Sequence, residues 1–332
     1  MVPVARDIPR GRVRSDPTFS VPSPGYEAIS LTISRLPGPF ARRSIGLLAA
    51  ALALSACGSS TVRVPPISPT PSAEVRAGQF VWYDLLTTDV EAARRFYGQL
   101  FGWTFQEGEA DGARVYTTIL LDGRPIGGIA AAEDLRDGAV NSSQWISNLS
   151  VEDVDAAVED VRRLGGTVAA EPRDLPARGR IALVRDNQGA LLALVRSTTG
   201  DPPLNRERVG GWLWTELWTR DADGSAAFYR DLVGYADEPM EGGGGADYRV
   251  FRARGEPQAG LLTYAMDAVQ PNWLPYVLVD DPGTLADRVE GLGGRVLLPT
   301  DPSRRNGSVA IIADPTGAAL TIQKWPPEGQ DR

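Results

Sequence analysis

The apolar and polar positions change period once between Trp82 and Gly102. From Trp82 to Thr88 they alternate, with Leu85 and Thr87 on one face and Trp82, Asp84 and Leu86 on the other, the two-residue period of a strand. Beyond Asp89, the residues Ala93, Phe96, Tyr97 and Leu100 recur every three or four positions, which is one face of a helix. Asp89 offers a side-chain acceptor to the first free N–H groups, and Gly102 permits the turn that ends the helix. Two β runs, RVYTTILL and RPIGGIAAA, then meet at Asp122-Gly123, a two-residue hairpin signal. A further strand, WISNLSV, leads into a helix whose Val154, Ala157, Val158, Val161 and Leu164 form an apolar stripe closed by Gly165-Gly166. Strands around TVAA, RIALVRD and ALLALVRS complete that unit.

The pattern is written again further on. Trp82, Leu85, Thr87, Asp89, Phe96, Tyr97, Leu100 and Gly102 recur 132 residues later as Trp214, Leu217, Thr219, Asp221, Phe228, Tyr229, Leu232 and Gly234. Downstream, residues 144–168 and 186–194 match 272–296 and 314–322 at an offset of 128. Strand, helix, then two or three strands therefore appear four times, at about 79–133, 144–197, 211–265 and 272–325. A helix on one face of each small sheet leaves the other face free to curl around a cavity. The fold class is α+β, four βαβββ modules paired into two domains. Trp145 and Trp273 fall outside the strand parity and fit either a rim or the space under a helix. EGGGG at 241–245 lacks the setting of a phosphate loop and reads as a flexible hairpin turn.

Composition narrows the partners. An apolar fraction of 42% and a charged fraction of 23% suit ordinary globular domains. The formal charge of −8 conceals a split: residues 1–57 carry seven Arg against three acidic side chains, +4, which leaves −8 − 4 = −12 for the rest. An acidic body repels phosphate backbones, so no nucleic-acid partner is expected. The single cysteine cannot form an intramolecular disulfide, and there is no histidine at all.

That cysteine carries other information. Arg42-Arg43 precede an apolar run from Ile45 to Leu54, too short to span a bilayer comfortably and followed by Ser55 and Ala56. Leu54-Ser55-Ala56-Cys57 resembles the lipobox of bacterial lipoproteins, which implies lipidation of Cys57 and anchoring on the extracytoplasmic face of the cell membrane. The expected organisation is an N-terminal extension without order (1–40), a signal and lipobox (41–57), a Ser/Pro/Thr-rich tether (58–78), a first two-module domain (79–200), a linker (201–210), a second domain (211–325) and a tail (326–332).

The β-α-β-β-β unit, with its Asp-capped helix containing Phe-Tyr and its closing Gly-Trp, resembles the vicinal oxygen chelate superfamily. That superfamily includes glyoxalase I, bleomycin-resistance proteins and extradiol dioxygenases. The elements D…FY…LFGW, V-[ED]-D-V…LGG and D-P-x-G together cover nearly all of residues 79–325. The resemblance implies metal-ligand slots at the first strand of a module, seven residues before the capping Asp, and at its last strand. Here those slots hold Trp82, Ile146, Trp214 and Leu274, and Ala193 and Thr321, none a strong ligand. No metal and no cofactor is expected.

What remains on the cavity side is apolar and aromatic. The first half presents Trp82, Asp84, Leu86, Ile146, Asn148 and Ser150, and the second Trp214, Glu216, Trp218, Leu274, Tyr276 and Leu278. Trp82, Asp84, Asn148, Trp214, Glu216, Trp218 and Tyr276 are the candidate ligand-binding residues. Asp84 and Glu216 contact a ligand, serve as structural anchors bonded to an arginine or to backbone N–H groups, or coordinate a metal, and the bulky residues either line an open pocket or fill it as a core. Side by side on one strand, Trp214, Glu216 and Trp218 point to the second half as the better site. The leading reading is a membrane-anchored binder of a small aromatic or cationic molecule, working without metal. Two alternatives stay open: a metal-dependent glyoxalase-like lyase or dioxygenase, and a non-catalytic structural or partner-binding lipoprotein. The oligomeric state, a homodimer among the options, is also open.

Overall fold

Among the described residues, each of the four α-helices starts on an aspartate, Asp89, Asp153, Asp221 or Asp281, whose carboxylate accepts a hydrogen bond from the first turn. In this computed structural model, residues 64–108, 116–132, 143–203, 206–240, 248–264 and 270–325 are described. The signal and Cys57, the first six tether residues, the glycine run at 241–245 and the tail lie outside them. The first unit runs β1 (Phe80–Thr87), α1 (Val90–Phe101), β2 (Thr104–Glu107), β3 (Thr117–Leu121), β4 (Arg124–Ala131), β5 (Gln144–Ser150), α2 (Val154–Arg163), β6 (Thr167–Leu175), β7 (Gly179–Arg185) and β8 (Leu191–Ser197). The second runs β9 (Trp212–Thr219), α3 (Ala222–Val233), β10 (Ala236–Pro239), β11 (Tyr248–Ala253), β12 (Glu256–Thr263), β13 (Asn272–Leu278), α4 (Pro282–Val289), β14 (Arg295–Leu298), β15 (Val309–Ala313) and β16 (Ala319–Gln323).

Each unit is one eight-stranded sheet, ordered β2-β3-β4-β1-β5-β8-β7-β6 and β10-β11-β12-β9-β13-β16-β15-β14. Modules thus pair with their sequence neighbours, joined where β1 lies antiparallel to β5 and β9 antiparallel to β13. The Asp122-Gly123 hairpin forms with both residues at positive φ, 49° and 74°, as a tight two-residue turn requires. The short edge strands β2 and β10, polar and mostly exposed, carry no apolar alternation and were not expected from the pattern.

The two sheets meet through their helix-bearing faces. One continuous core holds Leu85, Phe96, Tyr97, Trp145 and Val158 of the first unit together with Leu217, Phe228, Tyr229, Trp273 and Val277 of the second. Trp145 and Trp273 lie under helices, their indole N–H groups donating to Tyr97 and Tyr229 at 3.0 and 2.8 Å. Those two phenols reach across the interface: Tyr97 donates to Asp314 at 3.2 Å, and Tyr229 to Asp186 at 3.0 Å. At the start of β1 and of β9 a register shift breaks the alternation, and Phe80 packs on Trp273 (4.7 Å) while Trp212 packs on Tyr83 (4.3 Å).

Back-to-back packing turns the other face of each sheet away from the shared core. Among the described residues no α-helix packs on these outer faces, yet many of their side chains are buried, so each sheet must curl around its own residues. The tether is not free along its whole length. Ile67 is buried against Val81, Trp82 and Val195, and Ser72 N–H donates to Thr199 O at 2.9 Å. The strap around Ile67 is thus held against the first unit.

Candidate functional site

On the outer face of the first sheet the alternation places Trp82, Asp84 and Asn148 together, and the structure joins them. The Asp84 carboxylate accepts from Trp82 Nε1 at 3.0 Å, from the Tyr116 hydroxyl at 2.5 Å and from Asn148 Nδ2 at 3.1 Å. Arg178, buried in the turn before β7, brings a guanidinium nitrogen within 3.8 Å of Asp84, donates to Tyr116 at 3.1 Å and lies 4.4 Å over the Trp82 ring. Pro65 of the tether accepts from Arg178 Nε at 2.9 Å, so the docked strap helps fix this arginine. Burial pushes the Tyr116 phenol far above its ordinary range, and it stays a donor. Two features differ from a fully sealed cluster: the Asp84 side chain is 16% exposed, and the fully buried Asn148 Oδ1 has no hydrogen-bond partner.

The second sheet repeats this cluster in sealed form. Glu216 accepts from Tyr248 at 3.0 Å, from Trp218 Nε1 at 3.4 Å and from Tyr276, and Arg305 Nη2 donates to it at 2.5 Å. Trp214 donates to the Tyr248 hydroxyl at 3.3 Å. Both charged side chains of the Glu216–Arg305 pair are 0% exposed. Arg305 adopts a left-handed φ of 45°, rare for a side-chain-bearing residue and costing on the order of 1–3 kcal/mol, which the ion pair helps to hold. All four second-half candidates, Trp214, Glu216, Trp218 and Tyr276, are thus brought together, but as one another's packing. Of the two carboxylates, Glu216 is the more deeply sealed, 0% exposed against 16% for Asp84. Flanking indoles leave Glu216 in need of a partner, and Arg305 fills that need.

The two outer faces differ in volume. Where the second unit has Trp218, Tyr276, Leu278 and Leu262, the first has Leu86, Asn148, Ser150 and Ala130. Ala130, Ala169, Ala170 and Ile181 are only partly buried at the edge of the first unit's small outer cluster. In the second unit Trp214, Trp218, Tyr248, Leu262 and Tyr276 join a filled core.

Neither face suits a divalent cation. The slots implied by the superfamily resemblance hold two indoles, three aliphatic side chains and the Thr321 hydroxyl. Each nearby carboxylate already faces a guanidinium, which a cation would have to displace. Among the described residues, no three His, Cys, Asp or Glu side chains cluster to hold a metal.

Tyr116, Tyr248, Arg178 and Arg305 were missed as site residues. The tyrosines were recoverable, since they stand at the 132-residue offset. The arginines were harder: Arg178 and Arg305 are 127 residues apart, one short of the 128 offset, and both lie in turns where periodicity is silent.

Known proteins agree with this geometry. Residues 79–194 match the Glyoxalase/Bleomycin resistance protein/Dioxygenase superfamily, and residues 214–322 match a glyoxalase-like domain. CFP32 of Mycobacterium tuberculosis (strain CDC 1551 / Oshkosh), provisionally named a glyoxylase, is 32% identical over 77% of this chain and 98% of its own. The anthracycline biosynthesis protein DauV of Streptomyces sp. (strain C5) is 31% identical over 74% of this chain and 92% of its own. An extradiol ring-cleaving dioxygenase from B. fuscum superposes with a TM-score of 0.52 at 15% identity, over 80% of this chain and 75% of that one, a likeness of fold alone.

Unequal burial of the two ion pairs predicts unequal mutational costs. Arg305→Met leaves Glu216 sealed and uncompensated and should destabilise the fold by about 3–5 kcal/mol, with Glu216→Gln added to it recovering most of the loss. Arg178→Met should cost clearly less, because the Asp84 side chain is 16% exposed and keeps water, whereas Glu216 is 0% exposed. Equilibrium unfolding in urea measures both; equal losses would show that the two carboxylates are equally sealed.

Proposed function

Because the chain belongs to the glyoxalase/bleomycin resistance protein/dioxygenase superfamily, in two tandem domains, we propose that it binds a small aromatic molecule without metal, on the outer face of the first sheet. One observation carries the reading: equivalent faces of two repeats are filled by large side chains in one and left small in the other. A planar ligand over Ala130, Ala169 and Ala170 gains contact with apolar walls, while a hydroxyl or amide N–H on it can donate to Asn148 Oδ1. Arg178 beside Asp84 removes the advantage a cation would have there, so an uncharged aromatic replaces the aromatic-or-cationic expectation. The likeness to a protein named for anthracycline biosynthesis, which concerns fused aromatic rings, supports the same ligand class. The second unit acts as a scaffold that holds the shared core.

Attachment to the membrane belongs to the same proposal. The Arg42-Arg43, Ile45–Leu54 and Cys57 pattern supports export and lipidation, and the segment between Cys57 and the docked strap around Ile67 leaves a short spacer between lipid and domain.

Transplanting the second unit's filling into the first tests the binding reading. Leu86→Trp with Ala130→Leu installs the residues found at Trp218 and Leu262, in positions where the repeat already accommodates them. With 1,5-dihydroxyanthraquinone as probe and tryptophan quenching as readout, affinity should fall at least roughly tenfold while the melting temperature holds. Unchanged affinity would place the ligand elsewhere.

For the anchor, Cys57→Ser should move the protein from the membrane fraction to the medium or leave an unprocessed precursor. A wild-type chain found full-length and unlipidated in the cytosol would refute the anchoring proposal.

A further inference from the structure

A cleft of about 710 Å³ opens between the two sheets at the starts of β1 and β9, where Trp82 and Trp214 of the outer-face clusters also line it. Its size falls within the range of small-molecule pockets. The register shifts that turn Phe80 and Trp212 off their strand faces help to form it, and residues 67–72 of the docked strap and 201–203 of the linker line its sides. Tyr83 and Trp212 form an aromatic wall, with Tyr83 held to Thr215 at 2.6 Å.

The polar groups of this cleft are specific in sign. Arg206 lies 4.8 Å over the Trp214 ring and donates to Pro257 O at 2.9 Å and Gln258 O at 3.4 Å. Arg124 also lines the cleft, as does Arg208, which is already paired with Asp122 at 2.9 Å, and the lining holds a single acidic residue. That residue, Asp201, already accepts from Arg76 N–H at 2.7 Å and Ser150 Oγ at 2.6 Å. Burial pushes the Arg206 guanidinium down to about 10, so its surroundings favour an added negative charge. Gln258, itself 5% exposed, donates to Glu256 O at 3.3 Å, while its side-chain oxygen has no hydrogen-bond partner. A buried acceptor of this kind calls for a donor.

We propose that this inter-sheet cleft is a second binding site, for a hydroxy-substituted aromatic carboxylate. The carboxylate pairs with Arg206, the hydroxyl donates to the Gln258 side-chain oxygen, and the ring lies along Tyr83 and Trp212. Its ligand is charged where that of the outer face is uncharged, and Trp82 is the one side chain the two sites share. Its walls come from β1, β3 and β4 of the first unit and from β9 and β12 of the second, brought together by the back-to-back packing.

Three probes separate the contributions in the full chain, with tryptophan quenching and calorimetry as readouts: 6-hydroxy-2-naphthoate, 2-naphthoate without the hydroxyl and 2-naphthol without the carboxylate. The expected order of affinity is the order just given. Arg206→Gln should weaken both carboxylates by roughly tenfold or more and leave 2-naphthol within about twofold. Gln258→Leu should bring 6-hydroxy-2-naphthoate down to the affinity of 2-naphthoate, a result that stands even if Arg206→Gln fails to fold. The outer-face variant Leu86→Trp/Ala130→Leu should leave all three unchanged. Equal binding of 2-naphthol and the carboxylates, no response to Gln258→Leu, or loss of carboxylate binding in the outer-face variant would each overturn the proposal.

Discussion

A carboxylate on the inner wall of a curled sheet must be matched by donors or positive charge, since an unpaired buried charge is too costly to keep. Both units meet this demand in the same way, with a tyrosine from the third strand of the first module and an arginine from a turn in the second module. The choice has consequences. Once Arg178 and Arg305 occupy the positive side of the carboxylates, a divalent cation or a cationic ligand has no remaining charge to bind. The chemistry left to the outer faces is that of apolar contact and neutral hydrogen bonding.

Duplication then allowed the two faces to diverge without disturbing the core between them. The helix-side layer ties both sheets into one body through Tyr97–Asp314 and Tyr229–Asp186, reciprocal hydrogen bonds that each unit makes to the last-strand turn of the other. With that frame held, the second outer face could close around Glu216 and Arg305 at the expense of its opening. The first face carries smaller side chains, with Ala130 in place of Leu262 and Leu86 in place of Trp218.

Local signals were legible wherever period and capping decide structure. Asp89 and Gly102 bound their helix as read, Asp122-Gly123 made its hairpin, and the 132-residue repeat announced two equivalent domains. The strand parity also brought Trp82, Asp84 and Asn148 to one cluster, and Trp214, Glu216, Trp218 and Tyr276 to another. What escaped the sequence was set by tertiary closure. Nothing in the spacing of Arg305 shows that its left-handed turn drops a guanidinium onto Glu216. Nor does a Pro/Ser-rich stretch reveal that Ile67 will be buried and Pro65 will hold Arg178. The cleft escaped for a related reason: it lies between units and depends on their back-to-back packing, which no single repeat encodes.

Arg178 and Arg305 stand beside the carboxylates at the heart of each sheet, where a metal ion would have to displace them. Elemental analysis of the purified full chain, after dialysis against Mn²⁺, Ni²⁺ and Zn²⁺ and removal of free ion, tests most directly whether one does. The account predicts far less than one bound ion per chain for each metal. One equivalent per chain, abolished by Asp84→Asn or Glu216→Gln, would contradict it.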